Sequence, residues 1–583
     1  MQVGIHISHE AEKKIGGIGS VLSGLCNTQS YHKVFPRTIF YGPLFDERTT
    51  IHPDRLGHDA EVHFSSLDGI EDNYLELQEI CQKYHIDIVY GTKRIFDEIH
   101  PSHSTKVEIL LVGVRRLKID LIDLFKFQLW EKYRFQSDLY NEWDCEQYIR
   151  LAVPFLEIMK ALTDESDEIV AFSHEYMGVP CCLNLLLEKS IKQQTLFYAH
   201  EVSTVRALIE KLPGHDISFY TIMSRDLQEN RSLEERYGSQ RNNYRNELIK
   251  LATHFDRILA VGDWVKKEYT YLQPLVQEER ISIVYNGVPN NKITLEKKNA
   301  SRQRLIAYCN TLFNFSPDII FTHVTRLVIS KGLWRDIRFL EEMDRYFTDN
   351  NLKGFYILLS SLITTGRAPE KIVQMEQEYG WPVLHREGEP DLIGYEIDVY
   401  RSLEIFNAKS KSIKGVFINQ YGFSQSMTGS RIPEGTSFSD LRYGSDAELG
   451  FSVYEPFGIA QIETVPFGGL AILSRQCGCS FLLDTCFSDT VEKPYYAIDF
   501  TEHDLNNDSS LVDTMNSDKL LALSATVRTS LEGNLFHMYG KEIFDILPRN
   551  EEARLKLFEQ AQHRADRLGW ENSVANFFRN FEK

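Results

Sequence analysis

The sequence predicts an α/β protein built from two doubly wound domains, each a parallel sheet covered by helices. Three observations carry this expectation. Short apolar runs rich in β-branched residues alternate with longer amphipathic ones, the pattern of repeated βα units. The alternation fills both halves of the chain. The length of 583 residues exceeds what a single hydrophobic core usually organises, so two large domains follow.

The first strand-like run, residues 3–8, leads into "KKIGGIGSVL" at 13–22 and then into a helix starting near Val21. A glycine-rich turn between strand and helix lets backbone N–H groups and a helix N-terminus approach an anion. Close packing of the turn is the other use such glycines have. The spacing Gly16-Gly17-Ile18-Gly19 is not the G-x-G-x-x-G dinucleotide fingerprint. Further strands are expected at "TIFYG", "DIVYG", "EILLVGV", "EIVAFSH", "TLFYAH", "RILAVG" and "ISIVYNG", with helices at "EDNYLELQEICQKYH" and "NNYRNELIKLATHF". The second half supplies "IIFTHVT", "GFYILLSS", "GVFIN", "ELGFSVY" and "LAILSR". The seam is placed in the polar stretch 286–304, rich in Asn and Lys. Residues 120–148, aromatic and charged, and 407–442, with little periodicity, read as inserts. In such folds ligands bind at the carboxyl ends of the strands, which for two domains places the site in the cleft between them.

Composition narrows the class. Hydrophobic residues make up 43% and charged residues 25%, as in soluble globular proteins. A formal charge of -19 argues against nucleic acid as a partner, because that binding neutralises phosphates with excess Lys and Arg. Aromatic content of 12% suits a large core and also stacking on sugar rings. The opening "MQVGIHIS" has no signal-peptide pattern, and no apolar run approaches the roughly 20 residues of a membrane span. The nine cysteines are scattered, and "CGC" at 477–479 lacks a second Cys/His pair. Free thiols in a reducing, cytoplasmic setting are therefore expected rather than a metal site.

The most informative stretch is "FSVYEPFGIAQIETVPFGGLAILSR" at 451–475. Glu455 and Glu463 are separated by seven residues, Pro456 and Gly458 mark a turn, and an apolar helix is expected from near Ile459. On a helix, carboxylates at i and i+8 face one way, where each can clasp a pair of vicinal hydroxyls, those of a sugar ring and those of a ribose. This stretch resembles the E-x7-E motif of retaining glycosyltransferases of the GT-B fold, in particular glycogen and starch synthases.

Other segments extend the resemblance. "HVTRLVISKGL" is similar to the family's diphosphate-holding Arg and Lys, here Arg326 and Lys331 beside Gly332. An Arg fork and a Lys point charge suit a pyrophosphate. "FYAHEVSTVRAL" resembles a segment with His200 and Arg206 at the family's separation, and "AFSHEYMGVP" one with His174 and Glu175 beside the reacting sugar. "HEAEKKIGGIGSV" resembles the Lys-x-Gly-Gly segment, here Lys14, Gly16 and Gly17; Glu10, four residues before Lys14, matches the eukaryotic, UDP-glucose-using type. "LGWENSVANFFRNF" resembles the closing helix that crosses back onto the first domain. Two departures stand out. "RQCGCS" occupies the place of the bacterial Thr-Gly-Gly-Leu, and Arg564 and Arg567 around Asp566 do not form the dense arginine cluster of the eukaryotic type.

The resemblance implies a GT-B fold with a deep interdomain cleft, an acceptor-side domain over 1–295, a nucleotide-sugar domain over 296–562 and a returning helix over 563–583. It implies catalytic roles for Glu455, His174 and Glu175. Donor-binding roles fall to Lys14, Gly16, Gly17, His200 and Arg206 in the first half. In the second half they fall to Arg326, Lys331, Tyr454, Gly458 and Glu463. It further implies glucosyl transfer from UDP- or ADP-glucose to an α-1,4-glucan with retention, without metal or other cofactor. Transfer to a small sugar, a lipid-linked acceptor or a protein is the alternative on the same fold, and a non-catalytic glycan-binding protein is the alternative of another class. A homo-oligomer is compatible with all three.

Overall fold

The computed structural model describes residues 1–14, 16–45, 54–57, 59–70, 73–96, 104–188, 191–211, 215–363, 392–500 and 524–581. Internal contacts divide the chain into two compact units. The first comprises residues 1–206, 225–286 and 570–583, and the second 207–224 and 287–569. The chain thus leaves the first unit for residues 207–224, leaves it again inside the polar stretch 286–304 and re-enters it at Trp570; the sequence alone places the boundaries at 295/296 and 562/563.

The first unit contains strands β1 (Gln2–Ile7), β2 (Arg37–Pro43), β3 (Ala60–Ser65), β4 (Asp87–Phe96), β5 (Ser104–Gly113), β6 (Glu168–His174), β7 (Gln193–Ala199), β8 (Arg257–Ala260) and β9 (Ile281–Ile283). Among the described residues they form one sheet in the order β3-β4-β5-β2-β1-β6-β7-β8-β9. β1 pairs in parallel with β2 and with β6, placing Ile5 opposite Ile39 and Ala171. Val3 to Ile7 are buried without alternation, as required of a strand covered on both faces. The expectation of a wholly parallel sheet is corrected at one edge, where β4 runs antiparallel to β3 and β5. Seven residues join β4 to β5, too few for the crossover a parallel pair needs.

The second unit holds β10 (Ile319–Val324), β11 (Gly354–Leu359), β12 (Ile413–Ile418), β13 (Ala447–Gly450), β14 (Leu470–Ser474) and β15 (Tyr495–Ile498). They form a parallel sheet ordered β12-β11-β10-β13-β14-β15. Alternate residues serve opposite faces: Phe321, Tyr356 and Leu358 enter one core cluster, while Ile320, Phe355, Ile357 and Val416 enter another. That division is the packing consequence of helices on both sides of the sheet.

Every strand expected from the sequence forms. β3 and β15 were not anticipated, since "AEVHFS" and "YYAI" carry weak apolar runs. Two segments read as inserts hold regular elements, and one local expectation, the helix past Ile459, is corrected. Residues 120–148, read from the sequence as an insert, hold the helix Ile119–Tyr133 and the start of Trp143–Ala152, the first fixed by Ile122, Phe125 and Leu129 on one buried face. Residues 407–442 include β12 and most of the helix Phe438–Gly444. Past Ile459 the chain makes the 3₁₀ turns Ala460–Ile462 and Val465–Phe467 instead of a helix. Pro466 has no N–H to extend a helix, and Gly468 turns the chain at φ 80°.

Candidate functional site

Among the described residues, the chain's successive strands depart to opposite sides at a topological switch point in each sheet, between β1 and β6 in the first unit and between β10 and β13 in the second. Loops after these strands are where open α/β sheets place ligands. In the second unit, Arg326 and Lys331 follow β10, and Tyr454, Glu455 and Gly458 follow β13. In the first, Lys14, Gly16 and Gly17 follow β1, and His174 ends β6 with Glu175 after it.

In the second unit the loops are stitched together by backbone. The Ser330 carbonyl accepts from the N–H groups of Val453 (2.8 Å) and Tyr454 (3.1 Å), and the Arg335 guanidinium donates to the Phe451 carbonyl at 3.1 Å. Gly332 adopts φ 64°, and a Cβ there would lie 2.5 Å from the Phe451 carbonyl oxygen, so only glycine admits this approach. As a result the Lys331 ammonium meets the Glu455 carboxylate in a direct ion pair, with side chains only 10% and 12% exposed. Tyr454 is buried and lies 6.3 Å from Tyr220 in a stacked arrangement. Arg326 is exposed and makes no ion pair among the described residues; its charge is felt at Tyr421.

Glu463 does not share a helix face with Glu455. Its carboxylate meets the fully buried Arg442 at 2.5 Å. Arg442 also pairs with Glu448 of β13 at 3.1 Å, and Glu448 accepts from the Val324 N–H of β10 at 2.8 Å. The two carboxylates of the E-x7-E spacing are therefore each held by a different cation.

The segment 475–480 acts on Glu455 from behind, a role the sequence did not disclose. Cys477 forms a β-bridge with Glu455, the Gly478 N–H donates to the Glu455 carbonyl at 2.9 Å, and the Cys479 N–H to that of Phe457 at 2.7 Å. A Cβ on Gly478 would sit 2.0 Å from the Pro456 oxygen. The sole signal was a glycine between two cysteines. All nine cysteines are free thiols.

In the first unit the glycine-rich turn wraps an anion of its own. The buried Glu10 carboxylate accepts from the N–H groups of Gly16 (2.7 Å) and Gly19 (3.0 Å) at the start of α1 (Gly17–Cys26), which complements the helix dipole. Gly19 is required by this packing, since a Cβ would meet Glu10 Oε2 at 2.7 Å, whereas a Cβ on Gly17 would meet nothing within 4 Å. Lys14 is exposed.

Glu175 has φ 55°, a conformation costly for a residue with a side chain. Its Oε1 accepts from the backbone N–H groups of His200 and Glu201, and its Oε2 is buried with no hydrogen-bond partner among the described residues. Burial, and then the nearby Glu201 carboxylate, raise its pKa well above the usual range. Glu201 in turn holds Arg206, whose Nε donates at 2.7 Å. His174 is fully buried and uses both ring nitrogens within the protein, toward His6 and His200. Burial lowers the pKa of His6 to about 3, with the charge of His200 adding to it, and lowers His200 to about 3. Burial, then the neighbouring His6, lowers His174 well below the ordinary value. All three rings are neutral near pH 7.

The first unit ends with the helix Trp570–Phe581, which packs on α1 and on α2 (Gln29–Val34). Gly24 lies against the Trp570 ring, and the Glu571 carboxylate caps α2, accepting from the N–H groups of Gln29 (2.9 Å) and Ser30 (3.0 Å).

No family model matches the sequence, and no curated protein matches it. Solved structures do match. A UDP-forming α,α-trehalose-phosphate synthase from Burkholderia xenovorans, in complex with glucose-6-phosphate, superposes over 100% of both chains with TM-score 0.51 at 12% identity. The fold is GT-B. Sucrose-phosphate synthase from Thermosynechococcus elongatus gives TM-score 0.48 at 12% identity, over 100% of this chain and 98% of its own. The catalytic domain of starch synthase IV from Arabidopsis thaliana, bound to ADP and acarbose, gives 0.47 at 11%, over 99% and 98%. Among the described residues of this GT-B chain, no helix is long and apolar enough to cross a membrane.

Proposed function

We propose that the chain is a retaining glycosyltransferase that takes glucose from a nucleotide sugar, UDP- or ADP-glucose, and adds it to the non-reducing end of an α-1,4-glucan. One observation carries the reading: Lys331 and Glu455, from loops on either side of the second sheet's switch point, meet in a direct ion pair. Departure of a nucleoside diphosphate needs positive charge at the leaving oxygens. The oxocarbenium-like sugar left behind needs negative charge close by. Lys331, with Arg326 on the same loop, supplies the first, and Glu455 the second. A bound diphosphate would draw Lys331 away from Glu455 and leave the carboxylate to the sugar. Glu463, tied to Arg442, serves the nucleotide ribose. In the first unit the reading gives His200 a substrate contact and makes Glu175 a positioning residue, because its Oε1 holds the backbone that carries His200.

The acceptor has a second reading. The trehalose-phosphate synthase of the same fold is described with glucose-6-phosphate, and that is the ground for a small phosphorylated sugar as the alternative acceptor. The test incubates the chain with UDP- or ADP-glucose and either glycogen, maltooligosaccharides or glucose-6-phosphate, and follows released nucleotide. Elongation of glycogen supports the first reading. Release only with glucose-6-phosphate replaces it with the second. A Glu455→Ala chain that retains the full transfer rate would remove Glu455 from the chemistry.

A further inference from the structure

Three imidazoles form one hydrogen-bonded row at the carboxyl ends of β1, β6 and β7. From the core outward, the Tyr31 hydroxyl lies 2.7 Å from His6 Nε2, His6 Nδ1 lies 2.8 Å from His174 Nε2, and His174 Nδ1 lies 2.8 Å from His200 Nε2. The rings are held by stacking: His6 on Phe172 at 4.5 Å, His174 on His200 at 5.1 Å, and His200 on Tyr198 at 4.6 Å between centroids. His6 and His174 are fully buried. His200 Nδ1, at the outer end, makes no hydrogen bond within the protein among the described residues.

A neutral imidazole carries one N–H and one bare nitrogen. The row therefore has two consistent arrangements, every ring protonated on Nδ1 or every ring on Nε2. Any mixture sets two N–H groups or two lone pairs against each other, which is costly in a buried site. The inner end decides between them. The Thr38 hydroxyl donates to the Tyr31 oxygen at 3.3 Å, and of the acceptors open to the phenol proton, a bare His6 Nε2 at 2.7 Å is much stronger than the Cys26 sulfur, toward which the same hydroxyl can also turn. The phenol proton is thus directed to His6 Nε2, and each ring passes the same polarity outward.

We propose that Thr38, Tyr31 and His6 are positioning residues that fix His200 as its Nδ1–H tautomer, so that this N–H is a permanent donor offered to an oxygen of the bound substrate. The use of that donor rests on the glycosyltransferase reading; the tautomer itself does not.

The test is ¹⁵N spectroscopy of the full chain labelled at histidine, with signals assigned from His6→Gln, His174→Gln and His200→Gln. The expected result is a protonated Nδ1 and a bare Nε2 at His200. In Tyr31→Phe, which keeps the ring and removes the hydroxyl, the Nδ1–H fraction at His200 should fall from nearly complete to roughly half, as the two arrangements become comparable. Thr38→Val, an isosteric change, should move it in the same direction and serves if Tyr31→Phe fails to fold. His200 found protonated on Nε2, or an unaltered His200 spectrum in a folded variant, overturns the proposal. Absence of nucleotide release with a correct tautomer would instead defeat the glycosyltransferase reading alone.

Discussion

Gly478→Ala tests whether the position of Glu455 is set by the segment behind it. The new Cβ would fall 2.0 Å from the Pro456 carbonyl oxygen, 2.8 Å from its carbon and 3.2 Å from Phe457 Cα. Ordinary contact requires about 3.5 Å, so the two backbones must part by more than about 1 Å. Neither yields freely, because hydrogen bonds of 2.9 Å to the Glu455 carbonyl and 2.7 Å to the Phe457 carbonyl span the same gap. Overpacking of this kind costs about 1–3 kcal/mol. A displacement near 1 Å at a reacting group costs on the order of 10²-fold in rate. The assay is nucleotide release against donor concentration, alongside a thermal melt. The expectation is a lower melting temperature and a kcat reduced about 100-fold. A variant with the native melt and a kcat within about twofold of the parent would refute the reasoning that places Glu455 through this contact.

Other consequences follow from the first unit. Gly17→Ala should leave the melting temperature unchanged, since its Cβ meets nothing within 4 Å, while Gly19→Ala, driven into Glu10 and Lys14, should lose about 1–3 kcal/mol in urea titration. Glu10→Gln removes the charge from the acceptor of the Gly16 and Gly19 N–H groups and should cost about 1 kcal/mol by the same titration. The depressed pKa of His6, about 3 against 6.5, means that below pH 6.5 the unfolded chain takes up a proton the folded chain refuses. The associated stability is complete above 6.5 and is lost as pH falls toward 3, with a limiting slope of about 1.4 kcal/mol per pH unit. His6→Gln should flatten urea-derived stability between pH 6 and 4 relative to the parent, and an unchanged slope would remove His6 from the acid response.

Much of the architecture was legible because parallel strands covered on both faces are continuous apolar runs, as in "IIFTHV" and "EIVAFSH". The antiparallel excursion at β4 was not, because direction is set by connection length and not by side-chain pattern. The motif residues were legible as types and spacings: Lys331 and Glu455 lie on neighbouring loops at a switch point. Their partners were less so. Nothing local to Glu463 announces Arg442, 21 residues earlier, and past Ile459 two 3₁₀ turns flanking Glu463 take the place of the expected helix. The glycine-rich turn offered an anion site, and the structure shows that Glu10 already occupies part of it, with Gly16 and Gly19 as donors and Gly17 left open. His6 sat unnoticed in an apolar strand, since a histidine in such a run carries no signal until its neighbours across the sheet are known.

Glu455, paired with Lys331 at the second sheet's switch point, is proposed to serve transfer from a nucleotide sugar. The direct measurement is acceptor-dependent nucleotide release from UDP- and ADP-glucose by the intact chain and by Glu455→Gln, which preserves shape and removes charge. Release by the intact chain and a loss of about 100-fold or more in the variant are expected. Equal release by both, or none from either donor with glycogen, maltooligosaccharides or glucose-6-phosphate, would contradict that proposal.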